Sequence, residues 1–327
     1  GVVVHSIVGL FGMGAAVLLN NKLKNNYDVD FKHILADSNS VDHLAKAWHK
    51  SLNMENALDN NGNPTAKAFI NYVDNSLKGL KGLKDNNWVE ISDSTRKNIV
   101  DTLGTLLGTR SDKNIPKLEK QKLINTIISE FGTEKDLKFS SGAKVAANDL
   151  FEDLYSLGNT FKSKKVTQEF LKPLENNAFL KQLKKLTKQK TVLGLAGICA
   201  IAASVQKVNR AMTKKRTGSD GFVGYSDFSK DQKQGADKSL KFKLMKLGAA
   251  AVMVGIAHKA IGAKSITDFW NKVQFKGKMP TLDQLKVVYA TTIVGRCFAA
   301  SDKNELRETA TRDYLGYTNS IVLGGLA

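Results

Sequence analysis

Apolar residues recur every three to four positions from about residue 20 to residue 190, a period that predicts a series of amphipathic helices. Ser40 reads as the N-cap of one, with Val41, Leu44, Ala45, Trp48 and Leu52 on a single face. Asn63-Pro64-Thr65 opens another, carrying Phe69, Ile70, Val73 and Leu77. Ser92 or Asp93 opens a third, with Ile99, Val100, Leu103, Leu106 and Leu107 at helical spacing. Pro116 starts a fourth, through Leu118, Leu123, Ile127 and Ile128. A fifth runs through Val145, Leu150, Phe151, Leu154 and Tyr155 and is closed by Gly158. A sixth follows Pro173 and carries Leu174, Phe179, Leu180, Leu183 and Leu186. Asn60-Asn61-Gly62 and Asn86-Asn87 read as loops. No segment alternates at period two long enough to predict a strand, and no repeat of fixed length appears. This half reads as an all-α bundle.

A second pattern interrupts the first. Val2–Leu19 and the runs 192–205, 247–257 and 287–300 are rich in Gly and Ala and apolar all round, and Arg296 is the one charge among them. A shorter run occupies 320–327. A helix that crosses a bilayer needs about 20 apolar residues, range roughly 17–25. The first run meets that length and the others fall short. Gly194, Gly197, Ala200 and Ala203 stand at steps of three, and Ala251 and Gly255 are four apart. Small side chains at such spacing let helix backbones approach closely. The fold-class reading is therefore all-α: a helical bundle domain followed by Gly/Ala-rich, membrane-associated apolar helices. The expected divisions are an apolar anchor helix at 1–20, an amphipathic bundle at 21–190, and apolar helices with basic connecting loops at 191–327.

Charge sharpens the division. The net charge is +18; residues 1–190 hold 28 Lys/Arg against 21 Asp/Glu, and residues 191–327 hold 21 against 10. An excess of that size favours anionic partners. The residues expected to meet an anionic surface are Lys207, Arg210, Lys214, Lys215, Arg216, Lys241, Lys243 and Lys246. Beside apolar helices they suit acidic lipid head groups. Phe222, Tyr225 and Phe228 lie between them, so stacking on a nucleic acid is the alternative. Basic residues flank the run 192–205 on both sides, with Lys181, Lys184, Lys185, Lys188 and Lys190 before it. A single crossing would leave one cluster on the wrong side, so short interfacial helices, or buried helices of a soluble domain, stay open.

Specific chemistry is sparse. In 301–313 Asp302 can cap a charged helix, Glu305 completes a capping box, and Glu308 and Arg312 form an i,i+4 pair. Arg296 needs a partner, expected to be Glu305, Glu308 or Asp313. His33 and Asp37 are a weak four-residue pair. Cys199 and Cys297 lie in apolar runs with no second Cys or His nearby and read as small buried hydrophobes. No nucleophile elbow, zinc motif or phosphate loop is present. The expectation is a non-enzymatic, membrane-associated structural or scaffolding protein within a larger assembly, its basic domain on the cytoplasmic side. No catalytic residue, metal, cofactor or small-molecule substrate is inferred. Its partners would be an anionic membrane surface and other protein subunits. The alternative is a soluble basic helical protein, cytoplasmic or particle-associated, that binds nucleic acid or lines a virion or other particle.

Overall fold

The computed structural model describes residues 2–217, 238–277 and 281–319. They are mostly helical. The α-helices are α1 (Val2–Leu19), α2 (Asn21–Tyr27), α3 (Ser38–Leu52), α4 (Ala66–Leu77), α5 (Asp93–Thr109), α6 (Lys117–Phe131), α7 (Ala147–Phe161), α8 (Lys164–Phe170), α9 (Ala178–Thr217), α10 (Leu240–Ala260), α11 (Ile266–Val273), α12 (Leu282–Ala299) and α13 (Lys303–Tyr317). Two short 3-10 turns, Phe31–His33 and Leu174–Asn176, and four short strands complete the set: β1 (Lys81–Lys84), β2 (Asn87–Glu90), β3 (Leu137–Lys138) and β4 (Lys144–Val145). The chain divides into two compact units. A bundle unit holds Met13–Lys190 and Gln274–Met279; an apolar-helix unit holds Gly1–Gly12, Thr191–Val273 and Pro280–Ala327.

In the bundle unit the helices start where side chains satisfy their first N–H groups. Thr65 accepts from Ala68, and Ser92 from Thr95. α3 starts earlier than expected. Asp37, not Ser40, takes the free N–H groups, accepting from Asn39 at 2.9 Å and Ser40 at 2.7 Å. α7 does not end at Gly158. A Cβ there would come within 2.8 Å of Leu107 and 3.2 Å of Tyr72, so this glycine allows a close helix crossing. The sixth predicted helix begins only at Ala178, after a 3-10 turn at Leu174–Asn176, and runs on as α9 to Thr217.

The sheet is a correction to the all-α reading. Its order is β2-β1-β3-β4, every pair antiparallel. β1 and β2 are joined by Asp85 and Asn86, both at positive φ (49° and 62°), as a tight two-residue hairpin requires. Gly82 pairs with Val89 on one side and Leu137 on the other.

Beneath lies a large apolar core. Trp48 is fully buried, stacked between Phe69 and Phe161 at 5.3 Å each, with Tyr72 edge-on at 5.7 Å. Most predicted faces point into this core, but Leu118, Ile70 and Ile128 are exposed. Ala16 and Leu19 join the core, so the last turns of α1 pack against protein.

In the apolar-helix unit α10, α12 and α13 enclose Phe242, Met253, Ala257, Ile293, Cys297, Leu306 and Tyr317. Ile261, Val273 and Val287 form a second cluster with Phe269 and Trp270. A capping box at Thr281 and Gln284 opens α12.

Candidate membrane interface

The apolar-helix unit exposes large apolar side chains on α9 and α10. From 191 to 206 α9 carries no charged residue. Val192, Leu193, Ile201, Val205 and Val208 of that helix are exposed, and only 18% of its most apolar 18-residue window is buried. Among the described residues, the helix Ala178–Arg216 alone is long and apolar enough, by length and composition, to cross a membrane. α10 adds exposed Leu244, Leu247, Val252 and Val254, with Leu247, Ala251 and Val254 at helical spacing on one stripe. An apolar patch larger than a few hundred Å² marks a contact surface for protein or lipid.

Small residues let these helices close together. A Cβ on Gly295 of α12 would lie 2.5 Å from the Cys199 carbonyl oxygen and 2.9 Å from Ala202 of α9. One on Gly197 would lie 2.7 Å from the Phe11 ring. Helix-end carbonyls, costly if left bare in an apolar medium, are taken up by lysines. Lys286 donates to Ala260 at 3.0 Å, and Lys272 donates to Ile261 at 3.1 Å and Gly262 at 2.9 Å.

Lys207, Lys214, Lys215 and Arg216 are exposed on α9, and the last three stand in its final turn, where cations suit the negative end of the helix dipole. The Arg210 side chain and Phe222, Tyr225 and Phe228 lie outside the described residues. Lys241 and Lys243 are exposed on the first turn of α10, behind its Ser239 cap. Cations there oppose the helix dipole by a few tenths of a kcal/mol, which an anionic surface would offset. Lys246 is differently placed. It donates to the Phe298 carbonyl at 2.9 Å and sits 4.6 Å over the Phe242 ring, so it is held within its own unit.

The charged corner resolves by role. Asp302 accepts from Asn304 at 2.8 Å and Glu305 at 2.9 Å, and Glu305 reaches back to the Ser301 N–H at 2.6 Å. Asp302 therefore caps α13, and Glu305 takes the Ser301 N–H just ahead of the cap. Glu308 faces Arg312 at 3.4 Å on the exposed side. Arg296 meets Asp313, at 2.8 Å. His33 lies 3.6 Å from Asp30, while Asp37 is committed to capping, so the His33–Asp37 pair does not form. His258 stacks on Phe269 at 5.5 Å.

Sequence reasoning missed the buried charges of the bundle unit. Asp37, Asp153 and Lys190 are each 3% exposed or less. Lys190 approaches the Ile34 carbonyl at 3.4 Å, and Lys276 lies 3.5 Å from Asp37. Burial pushes the Asp153 carboxyl well above the usual range, and the charges of Asp149 and Asp37 add to the shift. Lys190 stands seven residues after buried Leu183, and that helical phase is the signal that could have found it. Compared with known proteins, the chain matches no family model, no curated protein and no solved structure, so its own geometry carries the functional reading.

Proposed function

We propose that the chain is a non-enzymatic, membrane-associated structural or scaffolding protein that works within a larger assembly. In this reading the apolar helices of 191–327 seat in lipid. Lys207, Lys214, Lys215, Arg216, Lys241 and Lys243 meet acidic head groups, each contributing about 1 kcal/mol. The observation that carries it is α9, uncharged from 191 to 206 with Val192, Leu193, Ile201 and Val205 exposed. In this reading the basic bundle lies on the cytoplasmic side.

The test is fractionation. The full chain should pellet with membranes and stay there after a high-salt wash, because salt screens charge but not apolar burial. Ile201→Asp with Val205→Asp should release it. Replacing Lys214, Lys215 and Arg216 by Gln should weaken binding to anionic vesicles and lessen its salt sensitivity. A full chain that is monodisperse without detergent, and binds RNA or DNA steeply with salt, would overturn this reading in favour of a nucleic-acid-binding or particle-lining protein.

A further inference from the structure

A second basic surface lies wholly within the bundle unit. Lys181, Lys184, Lys185 and Lys188 occupy positions i, i+3, i+4 and i+7 of α9, which places four ammonium groups on one helix face. The opposite face carries buried Phe179, Leu183 and Leu186, which fix the helix on the core. Like charges at i,i+4 destabilise a helix, and this stripe has two such pairs. Lys46 of α3 faces it across a cleft of about 590 Å³.

The cleft carries more positive charge than its own carboxylates neutralise. Asp42 lies 2.7 Å from Lys46 and 2.8 Å from Lys184 and holds both side chains across the gap. Burial works against its charge, but the hydrogen bonds from Lys184 and Lys46 outweigh that and keep the carboxyl below its usual range. Lys181, Lys185 and Lys188 line the same cleft and make no ion pair among the described residues. Glu175, exposed, is the second carboxylate at the cleft. Leu174 and Leu180 add apolar surface to its wall.

We propose that this cleft binds a multiply charged phosphate group. A single carboxylate or monovalent anion would leave most of the stripe unanswered, whereas adjacent phosphates offer several charged acceptors within one lysine span. The stripe ends three residues before the uncharged stretch that begins at Thr191. A phosphorylated lipid head group is therefore one source of the ligand, and a soluble polyphosphate is the other. The site stands whether or not the membrane reading does.

The experiment uses the full chain in mild detergent and two probes: free inositol hexakisphosphate, and nanodiscs containing an inositol lipid with two ring phosphates. Lys181→Gln/Lys185→Gln/Lys188→Gln should weaken binding of the preferred probe at least tenfold. A control, Lys67→Gln/Lys97→Gln/Lys165→Gln, removes the same charge from exposed positions elsewhere and should change it less than threefold. Glu175→Gln should tighten binding, an effect that a folding defect cannot imitate. Tighter binding of the lipid over the free phosphate places the ligand in a membrane, and the reverse places it in solution; either supports the site. Equal losses in cleft and control variants, or no response to Glu175→Gln, would overturn it. Monodispersity without detergent is measured separately and bears only on the membrane reading.

Discussion

Arg296 and Asp313 meet at 2.8 Å, and the carboxylate is the more deeply buried partner, its side chain 8% exposed against 37% for the guanidinium. The guanidinium reaches Asp313 Oδ2 outside hydrogen-bond geometry, so this contact is an ion pair. Arg312 Nε donates to the other carboxylate oxygen at 3.3 Å. The sequence suggests the opposite asymmetry, with the arginine in the apolar run as the group at risk. Burial of Asp313 reverses the expected mutant order. Arg296→Leu leaves an enclosed carboxylate with one exposed arginine nearby. Asp313→Asn removes the enclosed charge and lets Arg296 turn outward. Arg296→Leu should cost on the order of 2 kcal/mol, between an exposed pair and a buried one, and Asp313→Asn less than half of that. Denaturation in detergent checks the order, and a larger loss for Asp313→Asn would refute it.

Gly295 sets the approach of α12 to α9. With the Cys199 carbonyl 2.5 Å from where a Cβ would stand, the contact is against backbone, which cannot rotate away as a side chain end can. Gly295→Ala should cost about 1–3 kcal/mol through forced separation of the helices. Gly248→Ala, where a Cβ meets nothing within 4 Å, should be neutral or slightly stabilising from its gain in helix propensity. Equal melting temperatures for the two variants would rule out the close packing.

Much of this fold is legible in the sequence because long helices repeat their signal over three or more turns. The faces of α3 to α7 follow directly from the spacing of Trp48, Val73, Leu103, Ile127 and Leu154. Their edges are harder to place. Asp37-Ser38-Asn39-Ser40 offers four eligible caps in a row, and only the fold selects Asp37. The strands are two to four residues long, too short for period two to register, and Gly82 finds Leu137 across a long stretch of chain. At the basic surfaces composition shows charge but not direction. Lys181 and Lys185 face out while Lys190 faces in, and the hydrophobic phase of Leu183 and Leu186 decides which. The turn of Lys246 onto Phe298, a residue far along the chain, leaves no local trace.

Trp48 tests the bundle core in a different way. Its ring is fully buried between Phe69 and Phe161, yet its indole N–H has no hydrogen-bond partner. Trp48→Phe gives up apolar contact but also removes a buried unsatisfied donor, which costs roughly 1–3 kcal/mol where it stands. The two effects oppose each other, and the net change should be about 1 kcal/mol or less. Trp48→Ala keeps only the second benefit and opens a cavity, so it should cost about 3–5 kcal/mol. Urea melts of the two variants would expose a wrong account if Phe proved nearly as damaging as Ala.

His43 links the stability of the bundle to pH. Its Nε2–H donates to the Ser76 carbonyl at 2.9 Å, and its ring stacks on Phe139 at 4.2 Å. Burial holds the imidazole below its ordinary value; the Ser76 bond and Asp42 favour the charged form, Lys46 opposes it, and burial prevails. An unfolded histidine titrates near about 6.5. As pH falls through that value the unfolded chain takes up a proton before the folded one does, and folding loses free energy. The loss continues until pH passes the lower, folded value, below which both states are protonated and the difference is constant. Stability from this residue is therefore fully present above the unfolded value and is lost on acidification. His43→Gln can keep a donor on the Ser76 carbonyl while removing the titration. Plotted against pH, the stability of the variant minus that of the wild type should rise as pH drops from 7 toward 5, since the groups the two chains share cancel in the difference. Parallel curves across that interval would mean that the His43 ring takes a proton as readily in the folded protein as in the unfolded one.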